Sequence, residues 1–162
     1  MTSHAREAFR RAARSALLAA IGIVWLCGAP AQAACTVRID AGIAFGTYNI
    51  FSPTAVDTAG QFDVRCTGGD QNATLRISLS AGLTGTYAAR HLTSGAEFLV
   101  YNLYRNAART IVWGDGSGAT QVFIGPANGP QRQYFDVFGR IPPLQDAAVG
   151  AYSDTVRITV NY

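Results

Sequence analysis

Hydrophobic and polar residues alternate in short runs along much of the chain. Gln61-Phe62-Asp63-Val64-Arg65-Cys66 sets Phe62, Val64 and Cys66 on one side, and Thr74-Leu75-Arg76-Ile77-Ser78-Leu79 does the same with Leu75, Ile77 and Leu79. Successive side chains of a strand point to opposite faces, so each run predicts a strand with one buried face. Turn-forming stretches follow them, Thr67-Gly68-Gly69-Asp70 and then Ala81-Gly82, and the pair reads as part of an antiparallel meander. Further strands are predicted over residues 97–104, 120–124 and 133–138, with the glycine-rich stretch 113–118 as a turn. The final run, Asp154 to Tyr162, places Val156, Ile158, Val160 and Tyr162 on one face. Thr36 to Asp40 also alternates and reads as a first strand. After Ala34 no segment carries a helical apolar period, apart from a short turn around Asn106 to Arg109. Short strands at regular intervals predict an all-β, immunoglobulin-like β-sandwich.

The first 33 residues have a different pattern. Arg6, Arg10, Arg11 and Arg14 precede an apolar run from Ala16 to Ala29, and Ala31-Gln32-Ala33 supplies small residues at a cleavage position. That order is the pattern of a secretory signal peptide, and the apolar run is shorter than the roughly 20 residues a membrane-spanning helix needs. The expected organisation is a signal peptide over 1–33 and one exported domain over 34–162, with no stable membrane insertion once the leader is removed.

Removing the leader changes the charge. All 13 basic residues are arginine, and four of them and one of the ten acids lie in the leader, which leaves nine of each. A formally neutral domain offers no cation surplus for phosphate, so nucleic acid is not an expected partner. Cys27 leaves with the leader. Cys35 and Cys66 remain as an even pair in an exported chain, which reads as a disulfide.

Residues for catalysis are scarce. His91 is the one histidine after the leader and sits beside Arg90 and a turn, where it reads as a surface residue, with no positioned partner for acid–base work. Too few histidines and cysteines remain for a zinc site. The 113–118 stretch lacks the lysine of a phosphate loop and the spaced acids of a calcium loop. The expectation is a protein that is not an enzyme and carries no cofactor or metal.

Several short motifs, taken in order, resemble the spore coat protein U domain, which also forms subunits of archaic, Csu-type chaperone-usher pili. They are Phe45-Gly46-Thr47-Tyr48, Tyr101-Asn102-Leu103-Tyr104, Trp113-Gly114-Asp115-Gly116, Gly139-Arg140-Ile141-Pro142, and the closing Gly150-Ala151-Tyr152-Ser153-Asp154-Thr155 with Val160-Asn161-Tyr162. The resemblance runs from Cys35 to Tyr162. It implies an incomplete immunoglobulin-like sandwich lacking its last strand, completed by a strand from a periplasmic pilus chaperone and then from a neighbouring pilin subunit, a form of β-augmentation. It also implies an outer-membrane usher as partner, a location at the surface of a Gram-negative cell, and a part in adhesion and biofilm formation. The acceptor face would include Val156, Ile158, Val160 and Tyr162, with the chaperone anchored near Tyr162. Burying four such side chains against a donor would contribute roughly 1.5 to 3 kcal/mol each before entropy.

In the resembling family the donor strand precedes the first cysteine. Cleavage after Ala33 would leave Ala34 alone before Cys35, so the expected subunit accepts a strand and has none to give, which suits a fibre tip or terminal position. Other readings stay open, among them a relative that no longer polymerises and a start site other than the one read here. Thr36 to Asp40 could fill the groove from within, although it reads better as an ordinary first strand. A self-complemented secreted binding module, for instance for carbohydrate, would use Tyr101, Tyr104 and Trp113 as contacts, residues whose strand-like spacing favours core packing.

Overall fold

The computed structural model describes residues 34–162; the signal-peptide reading of residues 1–33 lies outside them. Eight strands follow one another: β1 (Ala34–Ala41), β2 (Val56–Thr67), β3 (Thr74–Leu79), β4 (Arg90–Ser94), β5 (Glu97–Tyr104), β6 (Phe123–Pro126), β7 (Gln133–Ile141) and β8 (Ile158–Asn161). One short 3-10 helix, Gly68–Asn72, turns the chain between β2 and β3. Among the described residues no helix is long and apolar enough to cross a membrane. The strands form a five-stranded sheet in the order β1-β2-β7-β5-β4 and a three-stranded sheet in the order β6-β3-β8, and all named pairings are antiparallel.

The alternating runs account for the core. Phe62, Val64 and Cys66 of β2 face Leu75, Ile77 and Leu79 of β3, and Tyr101, Leu103, Phe135, Val137 and Trp113 complete the layer. Phe62 stacks on Phe135 at 5.3 Å between ring centroids, and Phe123 meets Phe135 edge-on at 4.8 Å. Such contacts add about 0.5–1.5 kcal/mol beyond the area they bury.

Three expectations shift. The predicted strand over 120–124 forms three residues later, because the Thr120 hydroxyl closes the glycine turn: it donates to the Ser117 carbonyl (2.8 Å) and accepts from the Gly116 amide (3.0 Å). The final strand is confined to Ile158–Asn161, although the alternation continues back to Val156. His91, expected as a surface residue beside a turn, is partly buried in strand β4, which opens on the fully buried Arg90.

Cys35 lies directly opposite Cys66 in the β1–β2 register and is bonded to it. On the outer face of β2, Asp63 is buried under two arginines, accepting from Arg38 Nε (2.8 Å) and Arg132 Nη1 (2.5 Å). Burial alone would raise the Asp63 pKa, but the hydrogen bonds from Arg132 and Arg38 outweigh it and hold the carboxyl below its ordinary range. Asp57 is lowered in the same direction, chiefly by its hydrogen bonds from Arg140. A carboxyl whose folded pKa is depressed stabilises the fold fully above its unfolded pKa, near pH 4, and loses that contribution as pH falls through the folded value. The melting temperature should therefore be flat above about pH 5 and fall below about pH 4. In thermal melts across this range, Asp63→Asn should lower the plateau and flatten the acid fall. A fall as steep as that of the native protein would mean that Asp63 is not the group responsible.

Candidate functional site: an open groove between two sheet edges

β1 is the last strand of the large sheet and β8 the last strand of the small one, and among the described residues neither has a partner on its outer side. Both edges border one cavity of about 220 Å³ between the sheets. Ile39 and Ala41 wall it on the β1 side, Val156 and Ile158 on the β8 side, and Phe62, Leu79 and Leu103 form the floor. An unpaired edge presents free N–H and C=O groups, and here two such edges flank apolar side chains already turned toward the interior. The site's chemistry is that of a missing strand: backbone pairing along the edges and alternate apolar side chains into the gap.

The predicted acceptor residues divide. Val156, Ile158 and Val160 pack partly buried against the core cluster. Tyr162 lies one residue beyond β8 and is 53% exposed. Thr36 to Asp40 belongs to β1, paired to β2, and does not lie along the β8 edge.

The motif residues build a frame around this groove. Phe45 meets Tyr101 edge-on (5.8 Å), and a Cβ on Gly139 would come within 2.8 Å of the Phe45 ring, which would then have to shift. The Tyr101 hydroxyl donates to Asp154 Oδ2 (2.7 Å), and Asp154 Oδ1 accepts from the Leu83 amide (2.9 Å). Burial, then the hydrogen bond to Asp154, pushes the Tyr101 pKa well above the ordinary phenol range, so it remains a donor. Tyr48 donates to the Pro142 carbonyl (3.0 Å), and Tyr152 donates to the Ala148 carbonyl (2.8 Å). Trp113 is buried, its amide bonded to the Leu103 carbonyl (2.9 Å) and its ring nitrogen to the Ile77 carbonyl (3.2 Å). Gly114 packs on Thr120, and Asp115 accepts from the Ser117 amide (2.8 Å) while Gly116 turns the chain at φ +92°. Gly46 is another turn residue, and Tyr104 bridges to Val112. Tyr101 and Trp113 are buried, so they present no contact surface of the kind the binding-module alternative requires.

Sequence reasoning missed the residue at the centre of this frame. The Arg90 guanidinium donates to Asn102 Oδ1 (2.5 Å), to the Trp113 carbonyl (2.6 Å) and, through Nε and Nη2, to the Ser80 carbonyl (3.0 and 2.9 Å). It lies 5.5 Å from the centre of the Tyr87 ring. A signal was present in the Tyr-Asn-Leu-Tyr motif, because a polar residue between core positions of a strand needs a buried partner. His91 does not join this network; it stacks on Phe98 at 4.3 Å. No cluster of three or more metal-ligating side chains occurs among the described residues.

Two antiparallel sheets with an open groove at neighbouring edges define the class: an all-β sandwich with the fold of chaperone-usher pilus subunits. The sequence model of the Spore Coat Protein U domain matches residues 24–159, and the chain belongs to that family. It is 32% identical to "Protein U" of Myxococcus xanthus, over 80% of this chain and 78% of that protein. Among solved structures it resembles a chain of the CsuC-CsuE chaperone–tip adhesion subunit pre-assembly complex from the archaic chaperone-usher Csu pili of Acinetobacter baumannii. The TM-score there is 0.53 with 22% identity, over 80% of this chain and 40% of that chain. At that identity the likeness speaks for the fold, and the present chain spans less than half the length of the other.

Proposed function

We propose that this protein is a structural subunit of a chaperone-usher surface pilus, whose groove receives a strand first from a periplasmic chaperone and then from a neighbouring subunit. The observation that carries the reading is the pair of unpaired edges, β1 and β8, on either side of one apolar cavity. The spore coat protein U family and the likeness to a chaperone–subunit complex support it. In this reading Val156, Ile158 and Val160 are the inward contacts of the donor, and Tyr162 is a half-exposed residue at the groove end. The wider proposal places the protein at the cell surface, exported through the periplasm and passed through an outer-membrane usher, with a part in adhesion and biofilm formation.

Position in the fibre is part of the same proposal. Processing after Ala33 would make a tip or terminal subunit that accepts a strand and donates none. The family match begins at residue 24, upstream of Cys35, so the mature N-terminus is the deciding measurement. Exporting the protein with and without its cognate chaperone and usher, followed by N-terminal sequencing and size-exclusion chromatography, tests both points. Recovery only as a one-to-one chaperone complex beginning at Ala34 is the expected result. A stable monomer recovered alone would overturn the acceptor reading.

Ile158→Asn gives a residue-level prediction. The side chain lines the cavity, and withdrawing it removes about 1.5–3 kcal/mol of apolar burial while setting an amide against the incoming strand. Yield of the chaperone complex should collapse, whereas Thr159→Asn on the exposed face should leave it intact. Equal yields would remove β8 from the interface.

A further inference from the structure

We propose that the strand accepted by the groove continues beyond the sandwich into a second cleft, where Phe51 and Val149 close over it. This inference rests on the strand-acceptor reading. The two chain segments that wall the groove also wall the cleft. On one side β1 runs out through Ile43 and Phe45 into the loop ending at Phe51; on the other, the chain preceding β8 runs back through Asp154 into residues 147–152. Ile43, Phe45 and Leu92 line both spaces, so the 220 Å³ cavity and a cleft of about 910 Å³ share a wall.

The cleft is framed by fixed loops. Its floor includes buried Leu99 and Ile141, and Tyr48, on the first side, donates to the Pro142 carbonyl and accepts from the Gln145 amide (2.8 Å), which ties that side to the chain leading into residues 147–152. The Phe51 amide donates to the Asn49 side chain (3.0 Å), which fixes the turn that carries the ring. On this frame Phe51 is 82% exposed and Val149 107% exposed. Two exposed apolar side chains that line one cleft, each carried on a different one of its two chain segments, gain burial only when something covers them. A segment already anchored in the groove arrives with its translational freedom spent, so each added residue costs only its own ordering. A separate apolar molecule would lack that advantage. The occupant is therefore the extension of the donor strand, carrying apolar side chains at alternate positions.

The test uses the exported protein refolded with defined peptides. The first alternates valine and threonine over about eight residues, the length of an ordinary strand, and two others add about three more such residues at one end or the other. Melting temperature is the readout. Extension at a single end should raise it further by about 4 °C, and Phe51→Ser should abolish that increment without changing the effect of the short peptide. Equal melting with short and extended peptides overturns the inference and leaves the acceptor reading standing. So does an increment that survives Phe51→Ser combined with Val149→Ser, or one that a detached extension peptide produces alone. If no peptide raises the melting temperature, the acceptor reading itself fails.

Discussion

Arg90→Leu should destabilise the folded domain by about 3–5 kcal/mol, a large share of the 5–15 kcal/mol that holds a typical domain together. The side chain is fully buried and, among the described residues, its hydrogen bonds all go to neutral acceptors. Ser80 follows β3 in the small sheet, Asn102 lies in β5 of the large one, and Trp113 sits in the connection between them, so a single guanidinium ties the two layers. Leucine fills much of the volume but removes the donors to the Trp113 and Ser80 carbonyls, while Asn102 Oδ1 keeps only the Leu103 amide (2.9 Å), and each carbonyl left unsatisfied costs roughly 1–3 kcal/mol. Arg90→Lys should recover only part of the loss, since an ammonium cannot reproduce the planar fork that reaches three acceptors. Burial lowers the Arg90 pKa, yet an arginine remains protonated across the accessible pH range, so the loss should not depend on pH. Urea denaturation measures it, and a loss below about 1 kcal/mol would show that the network contributes little beyond packing.

Cleaving the Cys35–Cys66 bond should cost about 3–4 kcal/mol, the chain-entropy value for the 31-residue separation it closes. The effect falls on β1, which among the described residues has a partner on one side only. Without the bridge the strand is held by its ladder to β2 and by Arg38 on Asp63, and Arg38 is half in water, where such a pair contributes little. Because Ile39 and Ala41 wall the groove, a loosened β1 should also lower the yield of the chaperone complex that the strand-acceptor proposal expects. The comparison is between oxidised and reduced protein, and between the native chain and a Cys35→Ser, Cys66→Ser double variant. A common denaturation midpoint for all of them would exclude a stabilising role for the bond.

The readings that survived unchanged rest on local rules. Alternation in residues 61–66 and 74–79 named the inward side chains of β2 and β3, because a strand's period of two is a property of its own backbone. The cysteine pairing followed from export and even number, and the register of β1 on β2 agrees with it. Thr120 was misplaced because a threonine beside a strand pattern reads as strand, while its hydroxyl closes a turn whose partners lie three and four residues back. Arg90 was missed because arginine is exposed in most settings, and its acceptors lie 10, 12 and 23 residues away along the chain.

The sequence by itself thus determined an all-β chain, which face of each clear strand turns inward, the disulfide, and the family. Tertiary structure alone decided that β1 and β8 end their sheets on the same side, that a cavity lies between them, and that Arg90 joins the two layers. The reason is physical: side-chain alternation is set within one strand, whereas an open edge is defined by which strands fail to meet, and that depends on the path of the whole chain.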